Sequence, residues 1–408
     1  MGKSRKDEHR ALIKWLFNTV EEQAVDALII AGDIFDTGSP PSYARELYNQ
    51  LVLGMHQRHC QLLIVAGNHD SVSMLNESRP LLAQLDTYVV AAAEPQAPDN
   101  HVIKLYQKDS NEVKALLCAI PYIRPRDILI SEAGLDEKQK KGVLAEQIKD
   151  FYHKVYEQAQ IQAQDLGGVP ILGSGHLTTL GASVSESVRD IYVGSLESFP
   201  IDYFPAFSYL ALGHIHRPQK VSGLEHVRYS GSPIPLSFDE VTTQKSMVLI
   251  DYTAQGPKPD ISLLPIPCFQ QLFSMTGELQ PVIEALKQAY QNYQTSPDMQ
   301  NKPDEARLWA EVTLVSDEYV SDLYRMLQQA LEGLEIDLLR VKRQLKSQAQ
   351  AMAQGSKETL SELTVEQVFE RCLQSAGIEE DTEELTALFK QQYQSMLLSE
   401  KEGEGENL

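Results

Sequence analysis

Cysteine is scarce in this chain of 408 residues: Cys60, Cys118, Cys268 and Cys372 lie scattered, with no Cys-x-x-Cys pair. That usage leaves no thiolate motif for a soft metal and fits a reduced, cytoplasmic protein. Long hydrophobic runs are missing as well. No apolar stretch approaches the roughly 20 residues that a membrane helix needs, so no membrane is expected among the partners. The start, Met1-Gly2-Lys3-Ser4-Arg5-Lys6-Asp7-Glu8-His9, has charge but no apolar segment behind it, unlike a secretory signal. Positive charge is the third shortage. The 36 Lys and Arg face 57 Asp and Glu, for a formal net charge of −21, which argues against a general attraction to phosphate backbones. Much of that acidity is local, with four basic against thirteen acidic residues from Lys357 to Leu408. A nucleic-acid substrate therefore requires basic residues gathered at one place or supplied by a partner.

What is present is a soluble, globular composition, 42% apolar and 23% charged, over a length that predicts two or three domains. Two apolar runs organise the chain. Val25-Asp26-Ala27-Leu28-Ile29-Ile30-Ala31 ends in Gly32-Asp33-Ile34-Phe35-Asp36, and Leu62-Leu63-Ile64-Val65-Ala66 ends in Gly67-Asn68-His69-Asp70. Both read as strands buried on both faces. Between them Tyr43, Ala44, Leu47, Tyr48, Leu51 and Val52 recur at helical spacing. A strand, helix, strand unit of this kind puts both polar clusters on one sheet edge, where α/β proteins bind ligands. Two further strands end alike, Val169 to Leu172 into Gly175-His176, and Tyr209 to Leu212 into Gly213-His214-Ile215-His216.

Asp33, Asn68, His176, His214 and His216 make a mixed oxygen and nitrogen donor set suited to a divalent ion such as Mn²⁺. Asp33 is the candidate bridge between two cations, which would clamp the attacking and leaving oxygens of a phosphate displacement. His69, beside a ligand without needing to be one, suits protonation of the leaving alkoxide or stabilisation of the transition state. Arg124 and Arg126, in the loop after the strand Leu116 to Ile120, are candidates for substrate phosphate, with partnership to Asp127 the plain alternative. His56, His59 and Cys60 end an amphipathic helix, and the two histidines are expected on the surface.

A helix is expected from about residue 9 to 22, and another through Leu144, Ile148, Phe151 and Val155. Beyond Cys268 the pattern changes to strand, helix, strand, helix, strand, a small α+β domain. After a polar linker near Ser347 to Gly355 come two short amphipathic helices, the first with the capping-box form Thr364-x-x-Gln367. They either pack on the preceding domain or wait for a partner groove.

The four clusters resemble the signature of calcineurin-like metallophosphoesterases. Longer runs, Phe35 to Pro41, His176-Leu177-Thr178, Arg189-Asp190-Ile191-Tyr192, Gly231 to Glu240 and Glu358 to Leu363, resemble the nuclease-subunit family of bacterial SbcCD complexes over nearly the whole chain. The resemblance implies an α/β metallophosphoesterase sandwich over residues 1–267, a capping domain over 268–345, and a linker with partner-binding helices over 346–408. It implies a two-Mn²⁺ nuclease acting on double-stranded DNA ends and hairpins with an SMC-like ATPase, SbcC, as a homodimer within a heterotetramer. It further implies that Asp33 bridges the metals, that Asn68, His176 and His214 hold one, that His216 helps hold the other, and that His69 is catalytic. One feature departs from the family, which opens with a strand ending in Asp-x-His. Asp7-Glu8-His9 matches by letter alone, with no apolar run before it. The expectation is a chain that lacks this strand, most simply through a late assigned start, with an open sheet edge, one good metal site and one poor one. Two alternatives follow, a scaffold subunit that holds the ATPase and a phosphoesterase for small molecules.

Overall fold

The computed structural model describes residues 3–128, 137–179, 198–252, 259–296, 307–316, 320–345 and 389. The chain forms two compact units, Met1–Ser274 with Gln291–Trp309, and Met275–Tyr290 with Ala310–Leu408. The larger begins with α1 (Lys6–Glu22), β1 (Ala27–Ala31), α2 (Ser42–Gln57), β2 (Gln61–Val65), the short α3 (Val72–Glu77) and α4 (Arg79–Ala83), and β3 (Thr87–Val90). There follow β4 (Val102–Tyr106), β5 (Val113–Cys118), the single turn α5 (Pro125–Ile128), α6 (Glu137–Asp165), β6 (Ile171–His176), β7 (Tyr209–Gly213), β8 (Gln219–Val221), β9 (Leu224–Tyr229), β10 (Ser246–Asp251) and β11 (Asp260–Pro265).

Two sheets lie face to face. β1, β2 and β3 are parallel in that order. The second sheet runs β4-β5-β6-β7-β9-β8, with β5, β6, β7 and β9 parallel and the outer pairings antiparallel. Leu63 and Val65 of β2 share one buried cluster with Leu117 of β5, Leu172 of β6 and Tyr209 of β7. Helices close the outer faces, as apolar surface on both sides of a sheet demands. α2 turns Leu47, Leu51 and Met55 inward at four-residue spacing, and Leu51 and Met55 meet Leu62 and Ile64. On the other side Phe151, Tyr152 and Val155 of α6 pack with Leu116 and Cys118. The expected α/β sandwich is therefore present.

Expectation and structure part in several places. β2 is buried throughout, as read from sequence, but every residue of β1 is only half-buried. The reason is position: β1 pairs with β2 alone among the described residues, so an apolar strand forms an edge. β10 pairs with β11 alone, yet its Met247 shares a cluster with Leu28 and Ile30, and its Val248 and Ile250 share another with Ala27 and Ile29. Among the described residues β1 therefore has no second hydrogen-bonded strand, but its side chains are partly covered by β10 rather than left open. α1 starts at Lys6, so Asp7 lies in its first turn, exposed and paired with Arg10. β3, β4 and β8 had no clear sequence signal.

The remaining elements, β12 (Leu272–Gly277), α7 (Leu279–Thr295), β13 (Leu308–Val315), α8 (Val320–Ala330) and β14 (Ile336–Gln344), have the expected α+β order, with the strands arranged β12-β13-β14. β13 alternates buried and half-buried residues along its outer half, and α8 buries Leu323 and Leu327. Arg189 to Tyr192, the Glu358 to Leu363 run and, apart from Phe389, the two terminal helices lie outside the described residues. Among the described residues no helix is long and apolar enough to cross a membrane.

Candidate metal centre

Two pairs of parallel strands, one from each sheet, deliver four donors to one place. Asp33 follows β1, Asn68 follows β2, His176 ends β6 and His214 follows β7. Asp33, His176 and His214 form a group whose ligand atoms all lie within 4.8 Å of one another. His176 Nε2 is 3.1 Å from Asp33 Oδ2 and 3.0 Å from Asn68 Oδ1, and His214 Nδ1 is 3.2 Å from the same Asn68 oxygen. The glycine before each ligand has a steric cause. A Cβ on Gly67 would stand 2.0 Å from Asp33 Oδ1, and one on Gly213 would stand 1.7 Å from the Ala31 carbonyl oxygen. Only backbone without a side chain lets these strand ends converge. Asp33 and His214 themselves take positive φ, 51° and 94°, a conformation that costs free energy and concentrates at functional sites.

The donor set fits a cation. His176 Nδ1 lies 2.9 Å from the Ala31 carbonyl, an acceptor only, so Nδ1 carries the proton. Its Nε2 then faces two oxygen acceptors, Asp33 and Asn68, and lone pairs facing lone pairs need a proton or a metal ion among them. Burial alone would raise the Asp33 pKa. The hydrogen bond and charge of His176, with the His69 N–H, outweigh burial and bring it down to about 2. Burial likewise opposes a proton on His176, but the Asp33 carboxylate reverses that and raises its pKa. His214 is lowered to about 4, first by burial and then by the His176 charge, so it is a neutral donor at pH 7. An anionic carboxylate, an amide oxygen and two imidazoles suit a divalent ion of the first transition row.

The other predicted residues are placed as follows. His69 N–H donates to Asp33 Oδ1 at 3.0 Å, and its ring Nδ1 donates to the Asp36 carbonyl at 2.8 Å, leaving Nε2 as the proton-exchanging nitrogen. His216 is not part of the group of Asp33, His176 and His214. Arg124 Nη2 donates to the Asp70 carbonyl at 3.1 Å, and its guanidinium lies 5.7 Å from the Tyr122 ring centroid, whose edge meets His176. Arg126 is 78% exposed and 3.8 Å from Asp127. Both arginines thus keep an Asp127 contact, the plain alternative, and Arg124 alone also ties to the metal-centre loops. His59 is exposed beside Asp109 and His56 is half-buried beside Asp86, so both reach the surface, as expected.

Two residues escaped the sequence reading. The buried Asp70 carboxylate accepts backbone N–H groups from Gly67 at 2.8 Å, Phe35 at 3.0 Å and Ile34 at 3.3 Å, and so ties the loop of Asp33 to that of Asn68. Glu240, buried, has Oε1 3.2 Å from His216 Nδ1. Asp70 was visible as the last letter of Gly-Asn-His-Asp, and Glu240 as the last residue of the Gly231 to Glu240 run, but neither pattern gave it a role.

A parallel-stranded sandwich that gathers Asp, Asn and His at its strand ends defines a metal-dependent phosphoesterase, and comparison agrees. Residues 5–218 match the calcineurin-like phosphoesterase family, and residues 268–376 match a family described as the type 5 capsule protein repressor C-terminal domain. SbcD, from the nuclease SbcCD of Escherichia coli strain K12, is 42% identical over 94% of this chain and 91% of its own length. The SbcD of Rhodobacter capsulatus is 30% identical over 83% and 82%, and that of Bacillus subtilis 28% over 61% and 62%. The chain belongs to the calcineurin-like phosphoesterases and, within them, to the SbcD family of SbcCD nuclease subunits.

Proposed function

We propose that this chain is the nuclease subunit of an ATP-dependent complex, hydrolysing DNA phosphodiester bonds as an exonuclease on double-stranded ends and an endonuclease at hairpins and single strands. The observation that carries the reading is the convergence of Asp33, Asn68, His176 and His214 from four strand ends. Those four would hold one Mn²⁺, and Asp33 with His216 would contribute to a second, more weakly held. Bound there, the ions would polarise the phosphate and supply the nucleophile. His69, with Nδ1 committed to Asp36, would act in its imidazolium form, giving the Nε2 proton to the leaving oxygen and returning to the neutral Nδ1–H ring. Arg124, braced by the Asp70 carbonyl, is the better of the two arginines for holding a phosphate.

An acidic chain acting on DNA needs positive charge from elsewhere, which is one reason to assign it an SMC-like ATPase partner, SbcC. In this reading residues 1–267 are the nuclease domain, 268–345 the cap and 346–408 the partner-binding tail, and the complex is a cytoplasmic heterotetramer around a homodimer of this chain. A scaffold role is the second reading, favoured by one observation: His216 stands outside the group of Asp33, His176 and His214, so one metal position is thinly furnished by the described residues. Purified chain and ATPase partner, given Mn²⁺, ATP and a DNA hairpin, decide between them. Hairpin opening that disappears in His69→Ala supports the nuclease. An assembled complex that leaves the hairpin intact refutes it in favour of the scaffold.

A further inference from the structure

His216 is gripped at both ends by a buried polar cluster. Glu240 and Lys245, with side chains 3% and 4% exposed, pair at 2.6 Å through Glu240 Oε2. Lys245 Nζ also donates to the His216 carbonyl at 3.0 Å and to Ser232 Oγ at 2.8 Å, while Ser232 N–H donates to the same carbonyl at 3.0 Å. The other Glu240 oxygen, Oε1, faces His216 Nδ1 at 3.2 Å. A buried ion pair of this kind contributes little net stability, because desolvating both charges offsets most of their attraction. Its geometry does something else.

A carboxylate is an acceptor only, so the Glu240 contact forces the proton of neutral His216 onto Nδ1 and leaves the lone pair on Nε2. Lys245 makes that assignment firm by engaging Oε2, which turns Oε1 toward His216, and by fixing the backbone from which His216 projects. We infer that Glu240 is a positioning residue, which sets the tautomer and direction of His216 so that Nε2 is presented to a divalent cation. This rests on the reading of His216 as a metal ligand, and it adds what makes that ligand competent. Outer-sphere carboxylates of this type are worth about 10- to 100-fold in metal affinity.

Glu240→Gln separates orientation from bulk. The amide must turn its oxygen toward the Lys245 ammonium, because NH₂ facing NH₃⁺ is repulsive; its NH₂ then faces His216 and donates to Nδ1. The tautomer therefore inverts. Long-range ¹H–¹⁵N spectra of the histidine rings of the metal-free full chain, with His216 assigned through His216→Asn, read this directly. The expected result is protonated Nδ1 in the wild type and protonated Nε2 in Glu240→Gln. In parallel, titration with Mn²⁺ alone, followed by electron paramagnetic resonance, shows the weaker binding phase moving to about 10- to 100-fold higher Mn²⁺ in Glu240→Gln, with the tighter phase unmoved. Protonated Nε2 in the wild type overturns the inference whichever variants fold, and so does an unchanged tautomer in Glu240→Gln. An inverted tautomer combined with Mn²⁺ binding that His216→Asn leaves unaltered overturns instead the ligand reading on which the inference stands.

Discussion

Asp70 is the sharpest test of how the metal centre is held. Its carboxylate joins Phe35 and Ile34 on one loop to Gly67 on the next, and two of the three bonds, 2.8 and 3.0 Å, have good length. A hydrogen bond to a charged group contributes about 1.5–3 kcal/mol, and a buried donor left unpaired costs about 1–3 kcal/mol. Counting the two shorter bonds, Asp70→Ala should destabilise the larger unit by about 3–6 kcal/mol. Asp70→Asn keeps the shape and one acceptor. Bond counting alone would still predict a large loss, but burial raises the Asp70 pKa despite the N–H groups that lower it. The pocket thus tolerates a neutral group better than the bond count suggests, and the Asn change should cost about 1–2 kcal/mol, within the usual range of single substitutions.

Because the chain has two units, a single unfolding midpoint would blend them. Hydrogen exchange of the Phe35 and Gly67 amides reads the clasp itself. Both should exchange much faster in Asp70→Ala, and the tighter Mn²⁺ phase should weaken at least about tenfold, since Asp33 and Asn68 lose their shared anchor. Unchanged protection at both amides, or a stability loss under about 1 kcal/mol in Asp70→Ala, would refute the argument that this carboxylate couples the two ligand loops.

Three further outcomes follow from the same geometry. His69→Ala keeps the backbone N–H bond to Asp33 and removes only the ring; hairpin cleavage should fall by about 10²- to 10⁴-fold while Mn²⁺ binding stays within about twofold, and a parallel loss of binding would show that the ring is a ligand. Gly213→Ala drives a Cβ to 1.7 Å from the Ala31 oxygen and should abolish the tighter Mn²⁺ phase or folding itself, whereas Gly142→Ala in α6, with open space around it, should be neutral or stabilise by up to about 1 kcal/mol in chemical denaturation. Glu8, buried in α1, has its pKa raised to about 7 by burial, only partly offset by Arg5. Since the folded value lies above the unfolded 4.5, the group favours folding fully below pH 4.5 and that advantage is lost as pH rises to 7; the wild type should lose about 2–3 kcal/mol more than Glu8→Gln between pH 5 and 8, and parallel stability curves would contradict it.

What could be read from sequence, and what could not, follows from the range of each interaction. A ligand at a strand end sits beside its own signal: the apolar run predicts the strand, and Gly-Asp, Gly-Asn-His, Gly-His and Gly-His-Ile-His stand where it stops. The glycines belong to that signal, because the strand ends approach too closely for a Cβ at Gly67 or Gly213. Edge position has no such local mark. Ala27 to Ala31 is as apolar as Leu62 to Val65, yet one strand is half-buried and the other fully buried, a difference set by neighbours rather than composition. β3 has four residues, too few for a periodicity, and in β4 the exposed Lys104 between buried Ile103 and Leu105 breaks the apolar run.

The residues that hold the ligands in place are harder still, because their partners are distant in the chain and mostly backbone. Asp70 acts on the amide of Phe35, 35 positions away, and Glu240 on His216, 24 positions away. An amide has no letter, so a carboxylate that binds amides leaves no pair in the sequence to notice. The same holds for Lys245, whose carbonyl partner belongs to His216 by position and not by side chain. The donor set of this centre is therefore written in residue types at strand ends, while its rigidity is written in backbone contacts that only folding brings together. A substitution series confined to the lettered ligands would measure the first and miss the second.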